Sequence, residues 1–210
     1  GDHGTALVFV FIFAVMIFVA GLGWRFVLMG AGALAVSAPA AWLLMGDDKR
    51  QRILNVFSAT GDAAGIDYQQ GLGIMSIGSG QVWGKGIFAG GHNYVPEIRN
   101  DFIFAFAGEA LGFVGCLGIL ALLCFLCLRI LWDAGRAADP LGRFICLGVF
   151  AMLSFQVMVN VGMCLRLFPV VGITLPFLSA GGTSAVTTYL SIGLVLSVRS
   201  HSRVTLFLNR

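Results

Sequence analysis

The chain has 210 residues, 58% hydrophobic and 11% charged, with a formal net charge of +3. Soluble domains carry about 25% charged residues, so these proportions all but exclude a water-soluble globular domain or a disordered chain. Lys and Arg are spread along the chain, with no basic run longer than Lys49-Arg50-Gln51-Arg52, which gives no basic stripe for nucleic acid.

A membrane span needs about 20 mostly apolar residues to cross a hydrocarbon core of about 30 Å. The first candidate is Thr5–Gly23, which contains no charge. The chain opens on Gly1 with no signal peptide ahead of this run, so it reads as a fragment or a processed form of a longer protein. Asp2-His3-Gly4-Thr5 would cap the span. After Trp24-Arg25, a second run covers Phe26–Met45, rich in the small residues that let helices approach closely in lipid.

Residues 46–101 then carry nearly half of the charged residues, including Asp62, Asp67, Lys85, Glu97, Arg99 and Asp101. Connections beyond about 12–15 residues are usually functional or disordered. Scattered Ile, Val and Trp point to short helices and re-entrant pieces lining a site. Gly78-Ser79-Gly80-Gln81-Val82-Trp83-Gly84-Lys85-Gly86 permits close backbone approach, and Lys85 could meet an anion. The spacing is not that of a P-loop.

A third span is expected over Phe102–Leu128, carrying Glu109 as its one charge, followed by a polar loop Arg129–Arg143. A fourth covers Phe144–Cys164. Pro169 and Pro176 mark a broken segment that leads to the small-residue turn Ser179–Ser184. The fifth, Ala185–Val198, is short and should reach back into that turn. Lys and Arg favour the cytoplasmic side in short loops. Arg129, Arg136 and Arg143, and the tail residues Arg199, Arg203 and Arg210, place that loop and the C-terminus in the cytoplasm. The N-terminus and residues 46–101 then lie outside. The expectation is an all-α, polytopic transmembrane helical bundle, with 1–210 a single transmembrane domain and 46–101 its extracytoplasmic loop.

Cys124 and Cys127 have CxxC spacing but sit in an unbroken apolar run and read as small helix residues. His92 and His201 have no partners at zinc-ligand spacing. Asp101 stands where the outer loop meets the third span, and on spacing alone a helix N-cap is the leading reading. Glu109, eight residues on, must face the bundle interior, since a lone carboxyl in lipid is costly.

Val95-Pro96-Glu97-Ile98-Arg99-Asn100-Asp101-Phe102-Ile103-Phe104 resembles the PE-x-x-x-DFIF segment of the SEDS family, the RodA and FtsW proteins of bacterial cell-wall synthesis. Gly108-Glu109-Ala110-Leu111-Gly112 continues it. Asp2-His3-Gly4-Thr5-Ala6, Tyr68-Gln69, Ile77-Gly78-Ser79-Gly80, Asn160-Val161-Gly162-Met163 and Pro169 to Ser179 resemble further family motifs, in family order. Gly84-Lys85-Gly86 and Asn160–Met163 look more like RodA than FtsW. Arg99-Asn100 departs from the usual His-Thr, Ala110 from a second Glu, Gln81 from a glycine and Ala180 from a tyrosine.

The resemblance implies a peptidoglycan glycosyltransferase of the bacterial cytoplasmic (inner) membrane. It would polymerise lipid II into glycan strands for cell elongation and shape, or for division, and the five spans would be the last five of ten. Asp101 is the implied catalytic carboxylate, with a divalent cation (Mg2+ or Mn2+) as an optional partner. Lys85 and Arg99 are candidates for the diphosphate by chemistry. Ser79, Glu97 and Glu109, in or beside matched motifs, complete the expected substrate-binding set. Implied partners are lipid II, undecaprenyl-diphosphate-linked glycan, membrane lipid and a class B penicillin-binding protein, with no nucleic acid. The competing expectations are a transporter of lipid-linked precursor and a non-catalytic partner of a transpeptidase.

Overall fold

The computed structural model describes residues 3–21, scattered positions between 29 and 50, residues 66–93 and residues 95–208. Among them are five helices and no strand: α1 (His3–Val19), α2 (Ile66–Ser79), α3 (Ile103–Gly135), α4 (Pro140–Cys164) and α5 (Gly182–Leu208). The expected second span, 26–45, lies largely outside the described residues.

Each helix end has a local cause. Gly21, at φ +79°, turns the chain out of α1, as glycine in the left-handed region commonly does. α4 starts at Asp139, whose carboxylate accepts from the Gly142 amide at 3.3 Å, with Pro140 in the first turn. Both residues suit those positions. α5 begins at Gly182, inside the small-residue turn. α2 is the expected helical piece of the long loop.

The polar loop expected over Arg129–Arg143 needs correction. α3 continues to Gly135, so only 136–139 connects it to α4. A charged residue interrupts an apolar run, but Arg, Leu and Trp carry no large helix penalty, and the helix continues through Arg129.

α3 and α4 are long and apolar enough to cross a membrane. α4 is the central mast, packed against α1, α3, α5 and the end of α2. Asn160, Gly162 and Met163 on α4 are fully or almost fully buried, whereas Phe113, Leu117, Leu122, Phe125 and Leu128 on α3 are exposed. Such an apolar outer face suits lipid rather than water. One core cluster (Val95, Phe102, Phe104, Ala105, Cys164, Leu175) packs under the start of α3. A second (Ile130, Ala134, Cys146, Leu147, Leu153, Val195) closes the opposite end.

α3 is not one continuous helix. Gly112 sits at φ 70°, ψ −169°, in a conformation open to glycine and strained for other residues. The break leaves backbone groups unpaired in the helix, and the segment 81–86 fills the gap. Phe113 and Val114 amides donate to the carbonyls of Gln81 and Val82 at 2.9 and 3.2 Å. In return, Lys85 and Gly86 amides donate to the carbonyls of Glu109 and Ala110, both at 2.9 Å.

Candidate active site

The six candidate residues fall into two constellations, one on each side of the start of α3. The first contains Ser79, Lys85 and Glu109. Glu109 is wholly buried yet fully partnered. Ser76 Oγ donates to its Oε2 at 2.5 Å and Lys85 Nζ to its Oε1 at 2.6 Å. The Asn93 amide donates at 3.1 and 3.3 Å, and Asn93 Nδ2 at 3.2 Å. His92 Nδ1 lies 3.8 Å away. Ser79 Oγ accepts from Asn93 Nδ2 at 3.2 Å and donates to the Ser76 carbonyl at 2.8 Å.

This arrangement needs glycines. A Cβ on Gly80, Gly84 or Gly112 would run into backbone of the opposite segment. The close approach anticipated for the glycine-rich stretch is therefore made to the α3 backbone. Lys85, one-third exposed, is turned to a carboxylate within the chain.

The second constellation contains Glu97, Arg99 and Asp101. Glu97, at φ 53°, is a left-handed turn residue. Its carbonyl accepts from the amides of Asn100, Asp101 and Phe102 at 3.0, 3.1 and 3.3 Å. Its carboxylate accepts from Asn100 Nδ2 at 2.8 Å. The carbonyls of Arg99, Asn100 and Asp101 are each held from afar. The Ala180 amide donates to Arg99 O at 2.9 Å. Ser179 Oγ donates to Asn100 O at 2.6 Å, and Asn160 Nδ2 to Asp101 O at 2.8 Å. The same Asn160 amide donates to Ile173 O at 2.7 Å, so it joins two loops to α4. Hydrogen bonds of this kind, out of water, fix geometry firmly.

Asp101 does not cap α3. The cap position falls on Phe102, without a side-chain cap hydrogen bond. The Asp101 carboxylate is half-buried and faces Gly172, where an added Cβ would lie 3.5 Å from Oδ2. Gly172, at φ +73°, also lines a cavity of about 430 Å³ between α1, α4 and α5. Its walls include the uncharged polar side chains of Gln156, Thr174, Ser184, Thr187 and Thr188. A carboxylate beside a hydroxyl-rich cavity can bind or deprotonate a polyhydroxylated ligand.

Asn160 and Ser179 enter the sequence reading only as parts of motifs, Asn100 only within the Asp101 segment and as a departure from its usual pattern, and Ser76 and Asn93 do not enter it. Asn160 carried a usable signal, an amide inside an otherwise apolar span, where polar groups are held by partners. Ser76 and Asn93 carried none, since their partner lies on another element. No three side chains of His, Cys, Asp or Glu gather at a metal-binding spacing among the described residues.

Residues 1–204 match the family profile FTSW_RODA_SPOVE, described as "Cell cycle protein". The chain is 35% identical to peptidoglycan glycosyltransferase MrdB of Escherichia coli K12 over 207 residues, 97% of this chain and 56% of that protein. It is 37% identical over 205 residues to stage V sporulation protein E of Bacillus subtilis, 96% of this chain and 56% of that protein. The chain thus spans little more than half the length of these curated relatives. A solved chain described under "Structural coordination of polymerization and crosslinking by a peptidoglycan synthase complex" superposes with a TM-score of 0.81 and 34% identity. That match covers 96% of this chain and 56% of the other. The rod shape determining protein RodA of Thermus thermophilus matches with a TM-score of 0.59 and 30% identity, covering 95% of this chain and 50% of that one. A shared profile over nearly the whole length, with the same helical arrangement, leaves one assignment: the chain belongs to the FtsW/RodA/SpoVE family of cell cycle proteins.

Proposed function

We propose that the chain carries the carboxylate-bearing part of a peptidoglycan glycosyltransferase that polymerises lipid II, in the elongation (RodA-like) branch. The observation that carries this reading is the clamp on three successive carbonyls, Arg99 to Asp101, which holds the Asp101 carboxylate beside a hydroxyl-lined cavity. In the proposed reaction a sugar hydroxyl of the acceptor attacks the anomeric carbon of the donor. The hydroxyl proton passes to Asp101 as general base. The bond from that carbon to the diphosphate breaks, and the lipid diphosphate leaves with the electron pair. A single displacement of this kind inverts the anomeric centre.

Arg99, exposed and two residues from Asp101, is the cation placed to meet the diphosphate. Lys85, Ser79 and Glu109 support the site by holding segment 81–93 against α3. Glu97 shapes the turn that delivers Asp101. Mg2+ or Mn2+ enters this reading only with the substrate diphosphate, the usual manner in which Mg2+ meets one carboxylate.

The chain crosses the bacterial cytoplasmic membrane five times in this proposal, with residues 46–101 outside and the C-terminus in the cytoplasm. Its partner is a class B penicillin-binding protein. Support comes from the similar chain described in a complex that coordinates polymerization and crosslinking.

The test is lipid II polymerisation by the full-length protein and its Asp101→Asn variant. Loss of polymer in a variant that still melts as the parent does supports the assignment, and persisting polymer overturns it. The break at Gly112 also suits a lipid-precursor transporter, where interrupted helices are common. Translocation of lipid II in liposomes with no polymer formed would favour that reading instead.

A further inference from the structure

The far end of α3 carries a second polar grouping, distant from Asp101. Arg129 Nη2 lies 3.4 Å and Arg199 Nε 3.9 Å from Asp133 Oδ1, and Asp133 is buried. Arg136 sits over the Trp132 ring at 4.6 Å, and Arg129 over the same ring at 5.9 Å. Two guanidiniums therefore share one carboxylate, a third lies over the adjacent ring, and the patch stays cationic. Both ion-pair distances are long, so neither Arg is saturated by Asp133. Asp139, the next acid along the chain, is engaged at the start of α4.

Directly beside this patch is an open apolar pocket of about 780 Å³, lined by Phe125, Leu128, Leu131 and Trp132 with Arg129 and Arg199 at its rim. Its depth along the helix can be read from spacing. Twenty residues separate Glu109 from Arg129 with no charge between them. That is about 30 Å of helix at a rise of about 1.5 Å per residue, one hydrocarbon thickness. Arg129 and Trp132 thus stand at the boundary opposite Asp101. A half-exposed Trp and Arg side chains are at home in an interface.

We propose that Arg129, Arg199, Arg136 and the pocket beneath them bind an anionic phospholipid. The phosphate would meet the guanidiniums, which pair with phosphate in bidentate fashion. One acyl chain would lie against Phe125 and Leu128. A purely apolar occupant would leave the Arg rim unanswered, and a soluble anion would leave the pocket unfilled. An anionic lipid satisfies both, as in other basic pockets between membrane helices. The inference rests on the chain spanning a membrane and not on its glycosyltransferase activity.

The test uses the full-length protein in neutral detergent, with dioleoyl phosphatidylglycerol, dioleoyl phosphatidylcholine or inorganic phosphate added. Native mass spectrometry counts bound lipid, and thermal unfolding follows the stability. The parent should retain phosphatidylglycerol several-fold over phosphatidylcholine and melt several degrees higher with it. The Arg129→Gln/Arg199→Gln double variant should lose that preference. Arg136→Gln, an exposed change that leaves Asp133 paired, should reduce it while melting normally in neutral detergent, and it decides the matter should the double variant not fold. Equal retention of the two lipids by the parent would overturn the site. So would an unchanged preference in the folded variants, or a melting shift produced by phosphate alone.

Discussion

Lys85 Nζ lies 2.6 Å from Glu109 Oε1, and the two differ sharply in exposure: Lys85 is 34% exposed and Glu109 not at all. Removing one partner of such a pair therefore has unequal consequences. Glu109→Gln leaves an ammonium that can turn to water, and should cost about 1–2 kcal/mol. Lys85→Met leaves a buried carboxylate with only Ser76 and Asn93 as donors, and should cost about 3 kcal/mol. The double change, which removes both charges, should recover part of the loss, a coupling of about 1–2 kcal/mol. Unfolding of the full-length protein in detergent measures this. A milder Lys85→Met than Glu109→Gln would contradict the arrangement.

Gly112 and Gly118 lie six residues apart on α3 and should respond in opposite ways to alanine. At Gly112 the new Cβ meets backbone of Val82, Trp83 and Gly84, in a conformation that L residues resist. Backbone cannot yield as a flexible side chain can, so the cost should be about 3 kcal/mol or more. Segment 81–86 should then become open to protease. At Gly118 nothing lies within 4 Å, and alanine should be neutral or stabilising by about 0.5–1 kcal/mol.

Asn160 is a positioning residue for Asp101. Asn160→Ala would remove the amide donor from the buried Ile173 carbonyl and the part-buried Asp101 carbonyl, at about 2–3 kcal/mol. Assayed below its melting temperature, the variant should show a kcat for polymer formation roughly tenfold lower, because small misplacements of a reacting group are costly. KM for lipid II should stay near that of the parent. A raised KM with unchanged kcat would show that Asn160 serves substrate binding instead.

Much of this is legible in the sequence itself. The apolar runs gave α1, α3 and α4 their places, and Asp101 stood out as a carboxylate at the edge of a span. What could not be read is what depends on distant partners. Ser76, Lys85 and Asn93 are 33, 24 and 16 residues from Glu109 in the chain. No local period connects them. The break at Gly112 has no proline to announce it and exists because 81–86 supplies the missing backbone partners. The overrun of α3 past Leu128 is hidden for another reason, since Arg129 marks where the apolar run ends and not where the helix does.

Cys124 and Cys127 are free thiols on α3, Cys124 exposed on its outer face. The double alanine variant should keep its stability to within about 0.5 kcal/mol. Polymerisation should be unchanged by reductant or chelating resin applied to the thiols. A loss of activity in that variant would restore a redox or metal role to the CxxC spacing.

The clamp around Asp101 grips main chain only, through Ala180, Ser179 and Asn160. The side chains of positions 99 and 100 take no part in those three bonds. Arg99 in particular can change without loosening any of the three bonds, so in the proposed reaction the rim that meets a substrate can be retuned while the main-chain hold on Asp101 stays in place.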